Sequence, residues 1–365
     1  MKQMFALLLL FAVFLSGAAE SVEDDTAEFT GVYAVESGLG EDEREISGSL
    51  KLDGSYDAQG ALARLWDRFM QNVTTQLKSE FSFGIWMISV ALVCSISVAL
   101  SPDSKANTYL ELSACCGVSL LLAGSFDTVF SQTTDTLNRL SDYAKTAVPA
   151  FFATVAASGT AVSASVKYAS VCFAIDAFIR LSQDVLLPLI YSFLALSICE
   201  SLFENTLLSS VGKMTKWCAL TALTLFTTAF CVYISLAGVI SGSTDVLAVK
   251  ATKTVISTTL PVIGGILSDS ASSILAAAGV IKNSAGVFCL LAVCALCVGP
   301  FAVLLVKMLV FRAAAAISEQ ICGGRLAKLI GNMGAALAML LALVGSYGIM
   351  LFLSFMSGIR VVSTG

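Results

Sequence analysis

Histidine is absent from this chain of 365 residues. That removes the imidazole on which a Ser-His triad, an HExxH zinc site or a neutral-pH proton relay depends. Charge is scarce as well. Asp, Glu, Lys and Arg make up 13% of the residues, where a soluble domain carries roughly 25%. Hydrophobic residues reach 57% instead, and the mean hydropathy is +0.86. This balance predicts an all-α polytopic membrane protein, a bundle of transmembrane helices. No basic stripe runs along the sequence, so nucleic acid is not an expected partner.

The 11 cysteines all follow the first 80 residues, and most sit within apolar runs. Cysteine behaves there as a small hydrophobe, and no disulfide framework is expected. Cys294 and Cys297 have redox spacing, but Leu, Ala and Val surround them, so their reading is structural. No Gly-Lys-Ser/Thr follows any glycine pair, which excludes a phosphate-binding loop. No metal, cofactor or catalytic residue is expected.

Negative charge is concentrated near the start. Residues 20–80 hold 14 Asp or Glu and 5 Lys or Arg, a net of −9, so the remainder nets +4 against a total of −5. Residues 1–19 read as a signal peptide: Lys2 supplies the positive start, an apolar core follows, and Ser16-Gly17-Ala18-Ala19 suits cleavage. Residues 20–60 are polar and rich in Gly and Ser, the composition of a flexible acidic arm. An extracytoplasmic position for this arm follows from the signal. Leu62, Leu65, Trp66, Phe69, Met70, Val73 and Leu77 recur at helical steps. They predict an amphipathic helix over 61–80 that lies on the membrane or on a partner helix.

Residues 81–365 form a helical membrane domain of six to eight spans. The strongest candidates are 84–100, 110–126, 148–166, 168–178 with 185–203, 217–240, 285–311 and 334–356. Residues 312–332 read as an amphipathic loop helix. Lys213–Lys216, Lys307–Arg312 and Arg325–Lys328 mark candidate cytoplasmic loops.

Charges inside apolar segments are the candidate functional residues. Asp176, Arg180 and Asp184 recur at steps of four with alternating sign, which places them on one helix face. With Glu200 they form a candidate intramembrane polar stripe that lines a cavity; an interfacial helix facing headgroups is the competing reading. Glu200 and Glu204, four apart, suit a cation or proton relay or else a helix end at the headgroups.

The run 252–301 is apolar yet interrupted by Pro261, Gly264, Gly265, Asp269, Lys282 and Pro300. Such breaks are tolerated in lipid where protein or a water-filled cavity satisfies the freed backbone groups. A broken or re-entrant helical hairpin is expected. Pro261, Gly264, Gly265, Asp269 and Lys282 are its candidate pore-lining residues, with close helix packing and helix capping as their plainer roles.

The ordered series Leu260-Pro261-Val262-Ile263-Gly264-Gly265-Ile266-Leu267-Ser268-Asp269, then Ala276-Ala277-Ala278-Gly279-Val280-Ile281-Lys282-Asn283 and Val298-Gly299-Pro300-Phe301, resembles the stage III sporulation protein AE family. The plan of signal, acidic arm and multi-span body is similar to that family over nearly the whole chain. The resemblance implies a non-enzymatic membrane component of a secretion-like channel, or feeding tube, made in the mother cell and needed for forespore development after engulfment. It implies other stage III sporulation proteins as partners, including a cytoplasmic ATPase and ring-forming proteins, a partner in the forespore membrane, and a place in the mother-cell membrane around the forespore. Contact with membrane lipid and a homo-oligomer are expected as well.

Two alternatives compete. A stand-alone small-solute secondary transporter also fits discontinuous helices, although no internal repeat is visible. An intramembrane aspartyl enzyme would use Asp176 and Asp184, but the intervening Arg180 favours salt bridging over a shared proton.

Overall fold

The computed structural model describes residues 39–47, 57–100, 104–158, 161–203, 205–259, 264–321 and 324–359. Among them no strand occurs. The elements are α1 (Glu41–Ser47), α2 (Ala58–Leu100), α3 (Ser104–Ala157), α4 (Ala161–Arg180), a π-helical segment (Leu181–Leu186), α5 (Leu187–Phe203), α6 (Thr206–Thr259), α7 (Gly264–Ile321) and α8 (Arg325–Ile359). Six stretches are long and apolar enough to cross a bilayer: Gln59–Leu100, Asn107–Ala157, Ala164–Phe203, Thr206–Ile234, Asn283–Ile321 and Arg325–Ile359. The expected all-α bundle of transmembrane helices is therefore what forms, and by length and composition the chain is a multi-pass membrane protein.

Local chemistry sets several boundaries. Asp57 Oδ1 accepts the Gly60 N–H at 2.9 Å and caps α2. Asn205 Oδ1 accepts the Leu207 N–H at 2.9 Å and caps α6. The π-helical segment precedes Pro188. Proline has no N–H to give the Asp184 carbonyl and its ring crowds that group. The wider turn changes the pairing, and the Leu187 N–H reaches back to the Ser182 carbonyl. Helices α3 and α7 run on through Pro149 and Pro300.

Two expected boundaries differ. Residues 148–166 do not form one helix: α3 ends at Ala157, Ser158 closes a turn on Thr154, and α4 begins at Ala161. The Ser158-Gly159 pair is the weak point of that stretch, since both residues are poor helix formers. Residues 312–332 are not a separate loop helix. They are the end of α7 and the start of α8, because the apolar core continues through Phe311, Ala314, Leu326, Leu329 and Ile330.

The bundle has two ends. At one, Ser95 of α2 donates to the Ile321 carbonyl of α7 at 2.9 Å, and three short links join α2 to α3, α5 to α6 and α7 to α8. At the other, Lys167 of α4 donates to the Ser357 carbonyl of α8 at 2.8 Å. Helices α7 and α8 are the central pair. They pack along each other, and α8 is the most thoroughly buried, from Leu326 to Gly358. Phe178 of α4 stacks on Tyr347 of α8 with ring centres 5.1 Å apart and planes at 8°. Glycine permits the closest approach: a Cβ on Gly286 or Gly358 would overlap Ile359 or the Phe151 ring.

Part of the acidic arm is folded. Helix α1 buries Ile46 beside Ala61 and Leu65 of α2 and Leu291, Cys294 and Val298 of α7. Its Glu43 is buried and ion-paired to Arg139 of α3. Residues 1–19, expected to be a signal peptide, and Glu204 and Pro261 lie outside the described residues.

Candidate functional site

A cavity of about 350 Å³ opens where the ends of α3, α5, α6 and α8 meet. It begins with the helix starts. Arg325 and Lys328 stand three residues apart in the first turn of α8, so both project to one side. The N-terminus of that 35-residue helix adds its own positive end to theirs. Facing them are Glu200, near the end of α5, and Glu111, in the second turn of α3.

The charges meet across the cavity. Lys328 Nζ pairs with Glu200 Oε1. Arg325 Nε lies 3.7 Å from Glu111 Oε2, a Coulombic contact longer than a hydrogen bond. Three of these side chains are mostly buried, and Lys328 is the exposed one. Ser197, Ser201, Ser209 and Asn332 fill in the wall. Such a site can hold a small group that is polar at both ends. Among the described residues no three His, Cys, Asp or Glu side chains converge on a metal position.

Of the expected polar stripe, Glu200 enters this cavity. Asp176, Arg180 and Asp184 lie on the exposed side of α4 and the π-helical segment, and no ion pair among the described residues joins them to one another. Between them, Gln183 Nε2 donates to Asn138 Oδ1 of α3 at 2.7 Å. The same outer side of α3 carries Asp127, Asp135, Arg139, Asp142 and Lys145, all exposed, with Lys145 paired to Asp142 at 3.2 Å. Of the hairpin residues, Gly264, Gly265, Asp269 and Lys282 fall on helical backbone of α7, and their side chains lie outside the described residues.

Sequence reasoning missed Glu111 altogether and placed Arg325 and Lys328 on a loop. Their partners lie over 100 residues away, and no local spacing announces the convergence. It also missed Lys167, which is 2% exposed, and the pairing of Lys307 of α7 with Glu80 of α2 at 3.0 Å. Lys216 of α6 sits 5.9 Å from the Phe193 ring centre. Among the described residues no cysteine, Cys294 and Cys297 included, forms a disulfide.

No solved structure matches the chain. The stage III sporulation protein AE of Bacillus subtilis (strain 168) is 24% identical over 235 residues, which cover 64% of this chain and 59% of that protein. The aligned part thus spans less than two thirds of that relative. The family profile described as stage III sporulation protein AE matches residues 46–361, nearly the entire folded body and the hairpin series with it. The chain belongs to the stage III sporulation protein AE family and has a role in sporulation.

Proposed function

We propose that this protein is a non-enzymatic membrane component of a channel complex, a feeding tube, between mother cell and forespore, needed for forespore development after engulfment. The observation that carries the reading is the length of the bundle relative to a bilayer. Residues 81–100 of α2 are free of charge, and about 30 Å of helix matches a hydrocarbon core. Helix α2 has 43 residues and α3 has 54, so their polar parts, 58–80 and 127–145, continue for about 30 Å more. Lys213, Arg325 and Lys328 gather at the opposite end, where α6 and α8 begin. The positive-inside rule assigns that end to the cytoplasm. The polar ends of α2 and α3, with α1 docked on them, then reach into the space between the membranes.

This arrangement suits a protein that sits in the mother-cell membrane and meets others on both sides: a cytoplasmic ATPase at the basic end, ring-forming proteins and a forespore membrane partner at the other. The exposed Asp127, Asp135, Asp142, Asp176, Arg180 and Asp184 form a hydrophilic face suited to a lumen or to neighbouring copies in a homo-oligomer. The 252–283 hairpin, re-entrant or projecting, is the second candidate lining.

Deletion of the gene in its host tests the role. Development is expected to halt after engulfment, and normal spores from the deletion strain would overturn the proposal. Purified protein in liposomes tests the mechanism: solute uptake without partners would favour a stand-alone transporter.

A further inference from the structure

We infer that the cavity between Glu111, Glu200, Arg325 and Lys328 is a binding site for the headgroup of an aminophospholipid, with the phosphate on the basic pair and the primary ammonium on the two glutamates. Four charges converge on one cavity of about 350 Å³, and they are segregated. Both cations come from the first turn of α8, where the helix N-terminus favours an anion. Both carboxylates come from the facing helices α3 and α5. An anion alone would meet two glutamates, and a cation alone would meet Arg325 and Lys328. A group that carries both charges a few ångströms apart satisfies all four.

The surroundings select a lipid over a free zwitterion. Phe203 and Leu207 flank the Asn205-Thr206 stretch of the wall and are 72% and 71% exposed. Val211 and Met214 continue this exposed apolar track along α6. Large apolar side chains beside a charged cavity at the end of a transmembrane bundle offer a surface for acyl chains below a site for the headgroup. The Arg325–Glu111 contact is 3.7 Å long, and a phosphate oxygen or an ammonium N–H inserted beside it would form charge-assisted hydrogen bonds.

Native mass spectrometry of the detergent-purified protein tests the site, with phosphatidylethanolamine, phosphatidylcholine and phosphatidylglycerol of identical chains. Phosphatidylethanolamine is expected to be retained about tenfold more tightly than the others, the scale of one lost charge-assisted contact. Phosphatidylcholine lacks ammonium N–H donors, and phosphatidylglycerol lacks the ammonium. E200Q is expected to remove most of that preference, K328Q to weaken retention of all three lipids alike, and K328R to keep the preference at an unchanged melting temperature. Equal retention of the three lipids by the unaltered protein would overturn the proposal, as would an undiminished preference in E200Q. Free phosphoethanolamine bound as tightly as the lipid would overturn the lipid assignment in favour of a soluble compound.

Discussion

Lys307 of α7 and Glu80 of α2 form an ion pair 3.0 Å long, with side chains only 15% and 13% exposed. The pair sits where the charge-free part of α2 gives way to its polar part. Removing one partner leaves a charge in a poorly solvated position, at a cost of about 3 kcal/mol. Glu80→Ala and Lys307→Ala are each expected to lower the melting temperature of the detergent-solubilised protein markedly. The double substitution Glu80→Leu with Lys307→Leu is expected to recover most of the loss, because it removes the orphan charge.

Gly358 approaches the Phe151 ring so closely that any side chain there would overlap it. Gly358→Val is expected to destabilise the contact of α3 with α8 by about 1–3 kcal/mol. Phe151→Leu in the same chain should return part of that stability by making room. Thermal unfolding of the two variants measures both effects.

Lys167 is buried and donates to the Ser357 carbonyl near the end of α8. That carbonyl belongs to the negative end of the helix, so a cation there is favourable. Lys167→Met keeps the length of the side chain but loses the donor. A loss of about 1–3 kcal/mol is expected, with earlier proteolytic release of the segment after Ser357 than in the unaltered protein.

Cys289 and Cys294 are buried while Cys116 is exposed. A membrane-permeant maleimide is expected to label Cys116 in the folded protein and to reach Cys289 and Cys294 only after unfolding, since reactivity follows access. Peptide mass mapping before and after denaturation checks this. Rapid labelling of Cys294 in the native state would contradict the packing of α1 and α2 on α7.

The helix over 61–80 shows how far periodicity reaches. Its apolar positions are helical in the structure, but they do not share one fate. Leu65 is buried, Leu62 and Phe69 pack beside it, and Trp66, Met70 and Leu77 remain exposed. The recurrence of apolar residues predicts a face. How wide a strip of it is covered depends on which helix lies alongside, and α7 covers only a narrow one. The charges behave likewise. Asp176, Arg180 and Asp184 are conspicuous in the sequence because they stand close together, yet they lie on the exposed side. Glu111, Glu200, Arg325 and Lys328 are scattered, yet they meet.

The sequence by itself determined the class of this protein. Apolar runs of membrane length and scarce charge fix the solvent and the secondary structure, since a chain in lipid must satisfy its backbone within each helix. The ordered series between Pro261 and Lys282 carries the family resemblance, because it is legible in the order of residues alone. Only the tertiary structure decided which helices are central, that Lys307 answers Glu80, and that four distant charges enclose one cavity. Those outcomes depend on packing between segments far apart in the chain, where side-chain shape and charge are matched in space and leave no trace in local spacing.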